Sequence, residues 1–285
     1  MKNIMKLFKG VLIGLGSLIP GLSGSLIATI LNVYHELIEA LNRLIKHPIK
    51  SLLSIWPYLV GIGLGFGLGF MIIQFLLDYV PFPTACLIAG LILGSVPTIV
   101  KRIQKSAVKW HHGMVFLGAF LITIGLSSLN QSSDSNGDPI ALLLPIGFIY
   151  ATALIVPGLS GSTLLLAIGF FPMFLWMGSE LFKSVMSLDG SAFLLMLPAF
   201  AFFIGGIFLG LVMMGKLMHA ILTHYQSHFY YGVLGMMMAS PISVFLQIPM
   251  GDTPIGSLSG WILGLAGFGF LFGILGAYQV SKGSK

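Results

Sequence analysis

The pentapeptide PGLSG occurs twice, at residues 20–24 and 157–161, and a further serine follows each copy. The group chemistry on offer is hydroxyl oxygens, glycine backbone free to bend, and amide N–H groups released where proline and glycine interrupt a helix. Such groups repair broken backbone, or they hydrogen-bond a ligand. GLSG also fits the G-x-S-G of intramembrane serine proteases, whose nucleophile needs a histidine. His47, His111, His112, His224 and His228 fall at loop ends, and His35 and His219 fall nearer membrane edges, none at the depth of Ser23 or Ser160. The longer G-x-S-x-G elbow fails because Ser25 and Ser162 occupy its last glycine position.

After each break, Ser23 or Ser25 is expected to cap a helix running on through Tyr34, and Ser160, Ser162 or Thr163 to cap its counterpart. A helix start carries roughly half a positive charge, so two facing starts supply about one unit, of the right order for a phosphate. The half-helix before each break ends its carbonyls at the same spot, which favours a cation. Helix dipoles alone leave the sign of a ligand open.

These loops sit in a chain of 285 residues that is 56% hydrophobic and 8% charged, against about 25% charged in ordinary soluble domains. The composition indicates an all-α polytopic membrane protein. Six stretches approach the roughly 20 residues that cross a bilayer, at about 56–77, 83–100, 113–129, 193–214, 229–246 and 261–280. Cys86, the single cysteine, excludes an intrachain disulfide, and no Cys/His spacing suggests zinc, so neither metal nor cofactor is expected. The first residues imitate a signal peptide, but PGLSGS recurs in mid-chain, so that segment is read as retained.

Charge gives a topology. If residues 10–44 dip into the membrane and return, and residues 142–182 do so from the opposite side, every lysine and arginine except Lys183 falls on one face. Treating 10–44 as a full span would put Lys2, Lys6 and Lys9 opposite Arg43, Lys46 and Lys50 and destroy that bias. The basic face is therefore read as cytoplasmic, with both termini on it. Cations sorted along the chain also argue against a nucleic-acid partner. Among other polar residues, Glu39 and Arg43 are spaced for an ion pair, and Glu36 beside His35 is an interfacial carboxylate. Asn32, Gln74 and Gln247 are weighed as pathway or helix-to-helix groups, and Lys216 as a snorkelling cation.

Setting Gly10 against Gly147 superposes the two PGLSGS stretches. Further on, Gly65 and Gly69 match Gly206 and Gly210, and Gly90–Ser95 matches Gly235–Ser240. Each half, 1–130 and 142–285, reads as a re-entrant helical hairpin followed by three transmembrane helices, with 131–141 as an outer connector. Three spans per half require the second half to be inserted upside down, an inverted-topology repeat. Gly61, Gly65 and Gly69 on one helix face predict close helix packing.

GVLIGLGSLIPGLSGSLIATILNVYHELI, with the mid-chain ALIVPGLSGSTLLLAIGFF, resembles the PopT family of polyprenyl-phosphate translocases across essentially the whole chain. The resemblance implies return of undecaprenyl phosphate, or a related polyprenyl phosphate, from the outer to the cytoplasmic leaflet of a bacterial cytoplasmic membrane. It implies a non-enzyme whose partners are that carrier and membrane lipids. It makes Pro20, Gly21, Ser23, Gly24 and Ser25 the first substrate loop, and Pro157, Gly158, Ser160, Gly161 and Ser162 the second; Thr163, the hydroxyl that follows, is expected to join them in binding substrate. The chain departs from the family pattern at Ser17, where an acidic residue is common, and at Ser25, where a second glycine is common. A carrier of another small anion, a cation-coupled carrier and a serine protease remain alternatives.

Overall fold

A computed structural model describes residues 2–44, 47–103, 109–129, 139–155, 159–248 and 259–282. Among them there are helices and short turns and no strand, as expected where lipid offers backbone groups no hydrogen bonds. The helices are α1 (Lys2–Leu18), α2 (Gly24–Ile30), α3 (Tyr34–Leu44), α4 (Pro48–Tyr79), α5 (Pro81–Ile103) and α6 (Trp110–Leu129). Then come α7 (Pro139–Ile155), α8 (Gly161–Ala167), α9 (Phe171–Met186), α10 (Gly190–His224), α11 (Gln226–Gln247) and α12 (Gly260–Lys282). Six of these, α4, α5, α6, α10, α11 and α12, are long and apolar enough to cross a membrane, and each contains one of the six expected spans. The chain is a multi-pass membrane protein.

Helix partners recur between the halves. α1 packs on α4 as α7 packs on α10, and α5 packs on α12 as α11 packs on α6. The centre is formed by α5 against α11. Glycines make these pairs close. A methyl at Gly65 would overlap the Val11 carbonyl oxygen, and one at Gly206 would overlap that of Leu144. Gly90 and Gly235 meet the Phe270 and Phe116 carbonyls in the same way. The packing expected of Gly61 and Gly65 is thus backbone against backbone, with Gly61 on the Leu7 carbonyl.

The recurrence has exceptions. α9 packs against both α4 and α10, and α8 packs against α11, whereas among the described residues α3 makes no comparable contact with α10, nor α2 with α5. Residues Ser162–Ala167 of α8 are all buried, while in α2 only Ala28 is.

The helix expected to run from the first break through Tyr34 stops at Ile30. Asn32 takes a left-handed conformation (φ 55°), its N–H donates to the Thr29 carbonyl at 3.0 Å, and the Val33 N–H donates to Ala28 at 2.9 Å. This is a Schellman stop, and asparagine tolerates that backbone region better than most residues. α8 ends the same way, with Gly169 (φ 83°) donating to Leu166 and Phe170 to Leu165. Asn32, weighed as a pathway residue, is instead the terminator of α2.

Candidate functional site

Gly21 turns the first loop at φ 87°, and a side chain there would strike the Leu91 backbone on α5. No residue with a β-carbon fits. Ser23 follows in extended conformation (φ −121°, ψ 132°), and its carbonyl accepts from the Leu26 and Ile27 N–H groups at 3.0 and 3.1 Å. Ser160 does the same in the second loop (φ −90°, ψ 130°), accepting from Leu164 at 3.1 Å. Neither side chain caps its helix, contrary to the expectation from sequence. The reason is a closer partner: the Ser23 and Ser25 hydroxyls pair at 2.7 Å, and those of Ser160 and Ser162 at 2.8 Å. A hydroxyl has one proton to give, so the Ser23/Ser25 pair retains one O–H that can be turned outward to a ligand, and the Ser160/Ser162 pair does so once Ser162 releases its long bond to the Ser17 carbonyl.

The loops touch. The Gly21 N–H donates to the Thr163 hydroxyl at 2.8 Å, and the Ser162 hydroxyl reaches the Ser17 carbonyl at 3.5 Å. Gly24 lies against the Ser17 hydroxyl and Gly161 against the Tyr150 ring, both too close for a methyl. Pro20 is buried; Pro157 and Gly158 lie outside the described residues.

A cavity of about 210 Å³ opens beside this junction. Ser23 and Ser25 line it from the first loop, Ser160 from the second, and Ser95, Thr98 and Arg102 from α5. Arg102 points its guanidinium toward the Tyr230 hydroxyl of α11 at 3.4 Å and lies 5.7 Å from that ring's centre. Among the described lining residues there is no carboxylate, so a cation and several hydroxyls set the sign: the cavity suits an anion. α2 and α8 have seven residues each, so their dipoles are secondary to this charge. From sequence, Arg102 belongs to a loop, residues 101–112, read as topology-fixing in preference to a lipid-headgroup contact. A sharper signal was present, because Ser95, Thr98 and Arg102 fall three and four residues apart on one face of a mostly apolar helix.

A second, mostly apolar cavity of about 410 Å³ shares Ser23, Ser25, Tyr34 and Ser160 with the first. The hydroxyls thus stand at a boundary between a polar chamber and a greasy one. No histidine lines either cavity among the described residues, so neither Ser23 nor Ser160 has the base a serine nucleophile requires there.

Other polar residues have partners elsewhere. Glu39 pairs with Arg43, and Glu36 pairs with Lys6 and accepts from the Tyr58 hydroxyl at 2.9 Å. Burial of Glu36 pushes its pKa up, but the Lys6 and Tyr58 hydrogen bonds outweigh this and hold it below the ordinary 4.5. Gln74 bonds Asp78, and Gln247 ties α11 to the Leu166 carbonyl at 2.7 Å and to Ser127 at 3.1 Å. The side chains of Lys216 and His219 lie outside the described residues. His111, His112 and His228 come together with ring nitrogens within 4.8 Å of one another, a grouping hidden in sequence because His228 belongs to a different helix.

The family described as undecaprenyl phosphate translocase-like matches residues 13–250. A polyprenyl-phosphate transporter of Staphylococcus aureus is 25% identical over 254 residues, covering 86% of this chain and 87% of its own. A polyprenyl-phosphate transporter of Vibrio cholerae is 28% identical over 190 residues, covering 60% and 59%. No solved structure matches the chain.

Proposed function

Because the chain belongs to the undecaprenyl phosphate translocase-like family, we propose that it carries a polyprenyl monophosphate across a bacterial cytoplasmic membrane. The lipid's phosphate occupies the chamber between the two PGLSG loops. The observation that carries this reading is the convergence of Ser23, Ser25 and Ser160 with Arg102 around one cavity beside an apolar one. Burying an unpaired phosphate in hydrocarbon is prohibitive, so donors must replace its water. The hydroxyls and the guanidinium supply them, and Gly21 lets the backbone approach.

The relatives named above are called polyprenyl-phosphate transporters, which supports transport rather than catalysis. On the positive-inside rule both termini and Arg102 face the cytoplasm. The chamber then opens toward the leaflet to which the carrier is returned, and transfer runs from outer to inner leaflet. The recurring helix partners support an inverted repeat whose two hairpins meet at the site.

Leaflet-resolved transfer of a fluorescent undecaprenyl phosphate in proteoliposomes tests the proposal. A Ser23→Ala/Ser160→Ala protein should insert normally and transfer slowly, and inorganic phosphate uptake should stay at background. Full-rate lipid transfer by the double variant, or uptake of inorganic phosphate by the wild type, would refute it.

A further inference from the structure

A third cavity, a groove of about 460 Å³, lies between α4 and α10 with α9 behind it. It shares Tyr150 and Leu154 with the 410 Å³ cavity, which in turn shares its hydroxyls with the phosphate chamber. The three spaces are therefore consecutive. Their lining changes along the way, from Arg102 and serines, through a mixed collar, to a wall of phenylalanines, with the Tyr150 hydroxyl the sole polar side-chain group lining the groove among the described residues.

We infer that this groove is a binding site for the isoprenoid chain of the lipid whose phosphate lies in the polar chamber. The inference rests on the phosphate reading of that chamber. A head held by Ser23, Ser160 and Arg102 puts the first carbons of its tail at the collar, and the shared walls Tyr150 and Leu154 lead from there into the groove. The groove is built to receive an apolar chain. Phe174 meets Phe70 edge-on at 5.1 Å and Phe203 at 5.5 Å, giving a continuous aromatic wall. Gly63 leaves open space where other residues would project, and a methyl there would meet no atom within 4 Å. Leu154 and Ile204 at the groove's edge are 55% and 58% exposed, so its outer side meets lipid and the distal tail can leave there. One route from one head suits a single-chain lipid.

Gly63→Leu fills the groove without touching the chamber. Gly113→Leu, equally open but on α6, serves as control. Binding of undecaprenyl phosphate and of geranyl phosphate to the purified full chain in detergent would be compared. The long chain should bind Gly63→Leu about tenfold more weakly than wild type, while geranyl phosphate, which ends near the collar, binds both alike. As an independent readout, undecaprenyl phosphate with a photoreactive group in mid-tail should label α4, α9 or α10 of the wild type. Equal long-chain affinity in Gly63→Leu and wild type, parallel loss of both ligands, or labelling confined to other helices would overturn the groove assignment. Failure of the phosphate reading looks different: geranyl phosphate would then bind wild type and Arg102→Ala equally.

Discussion

Removing the charge of Arg102 should weaken anion binding far more than it weakens the fold. In the free protein its guanidinium makes one long hydrogen bond, 3.4 Å to Tyr230, and one ring contact at 5.7 Å. An exposed contact of the latter kind contributes about 0.5 to 1 kcal/mol, and the long bond adds little. A hydrogen bond to a charged group contributes about 1.5 to 3 kcal/mol. Arg102 is exposed at the chamber wall, so water screens the interaction and the lower figure applies. That corresponds to a loss of about tenfold in affinity. Titrating geranyl phosphate into detergent-purified Arg102→Ala should show this drop with a melting temperature close to wild type. Arg102→Lys should recover part of it, keeping the charge but losing the forked geometry. The affinity gap between wild type and Arg102→Ala should narrow as salt rises. An Arg102→Ala protein that is folded and binds as tightly as wild type would refute the assignment of charge to this chamber.

Thr163→Val keeps the shape of the side chain but leaves the Gly21 N–H without its partner, at a cost of about 1 to 3 kcal/mol; a lowered thermal midpoint together with slowed lipid transfer is expected, and an unchanged midpoint would show that the loops do not depend on this bond. Glu36 has a folded pKa below the ordinary 4.5, so the stability it contributes is present above that value and is lost as pH falls through the folded one. Melting curves of wild type and Glu36→Gln should therefore differ near neutrality and converge in acid, whereas a gap that persists or widens in acid would contradict the sign.

The six spanning helices were legible because lipid imposes length and apolarity on each of them separately. The paired glycines were legible as packing faces, and the doubled PGLSG as a pair of loops, because both signals are local or repeat in register. The ends of α2 and α8 were partly hidden: Asn32 and Gly169 terminate them by the same hydrogen bonds, but a lone asparagine among apolar residues has several equally common uses. The serine pairing was hidden too. Ser23 and Ser160 stand at the N-cap position, yet a neighbouring hydroxyl two residues on is the better partner. What sequence could not supply was proximity between distant segments. Gly21 with Thr163, Arg102 with Tyr230 and the three histidines each join residues far apart in the chain. Arg102 shows that one explanation need not exclude another, since a cation that fixes topology remains free to bind.

Where Gly65 abuts Val11 and Gly206 abuts Leu144, no side chains lie between the two backbones to change rotamer and let one helix slip along the other. The α1–α4 and α7–α10 pairs therefore behave as stiff struts, each moving as a unit. Pivoting has to occur in the seam between the struts, which α9 fills and the Gly21–Thr163 bond crosses. The two loops lie along that seam, so any tilt of one strut against the other changes the shape of the chamber directly.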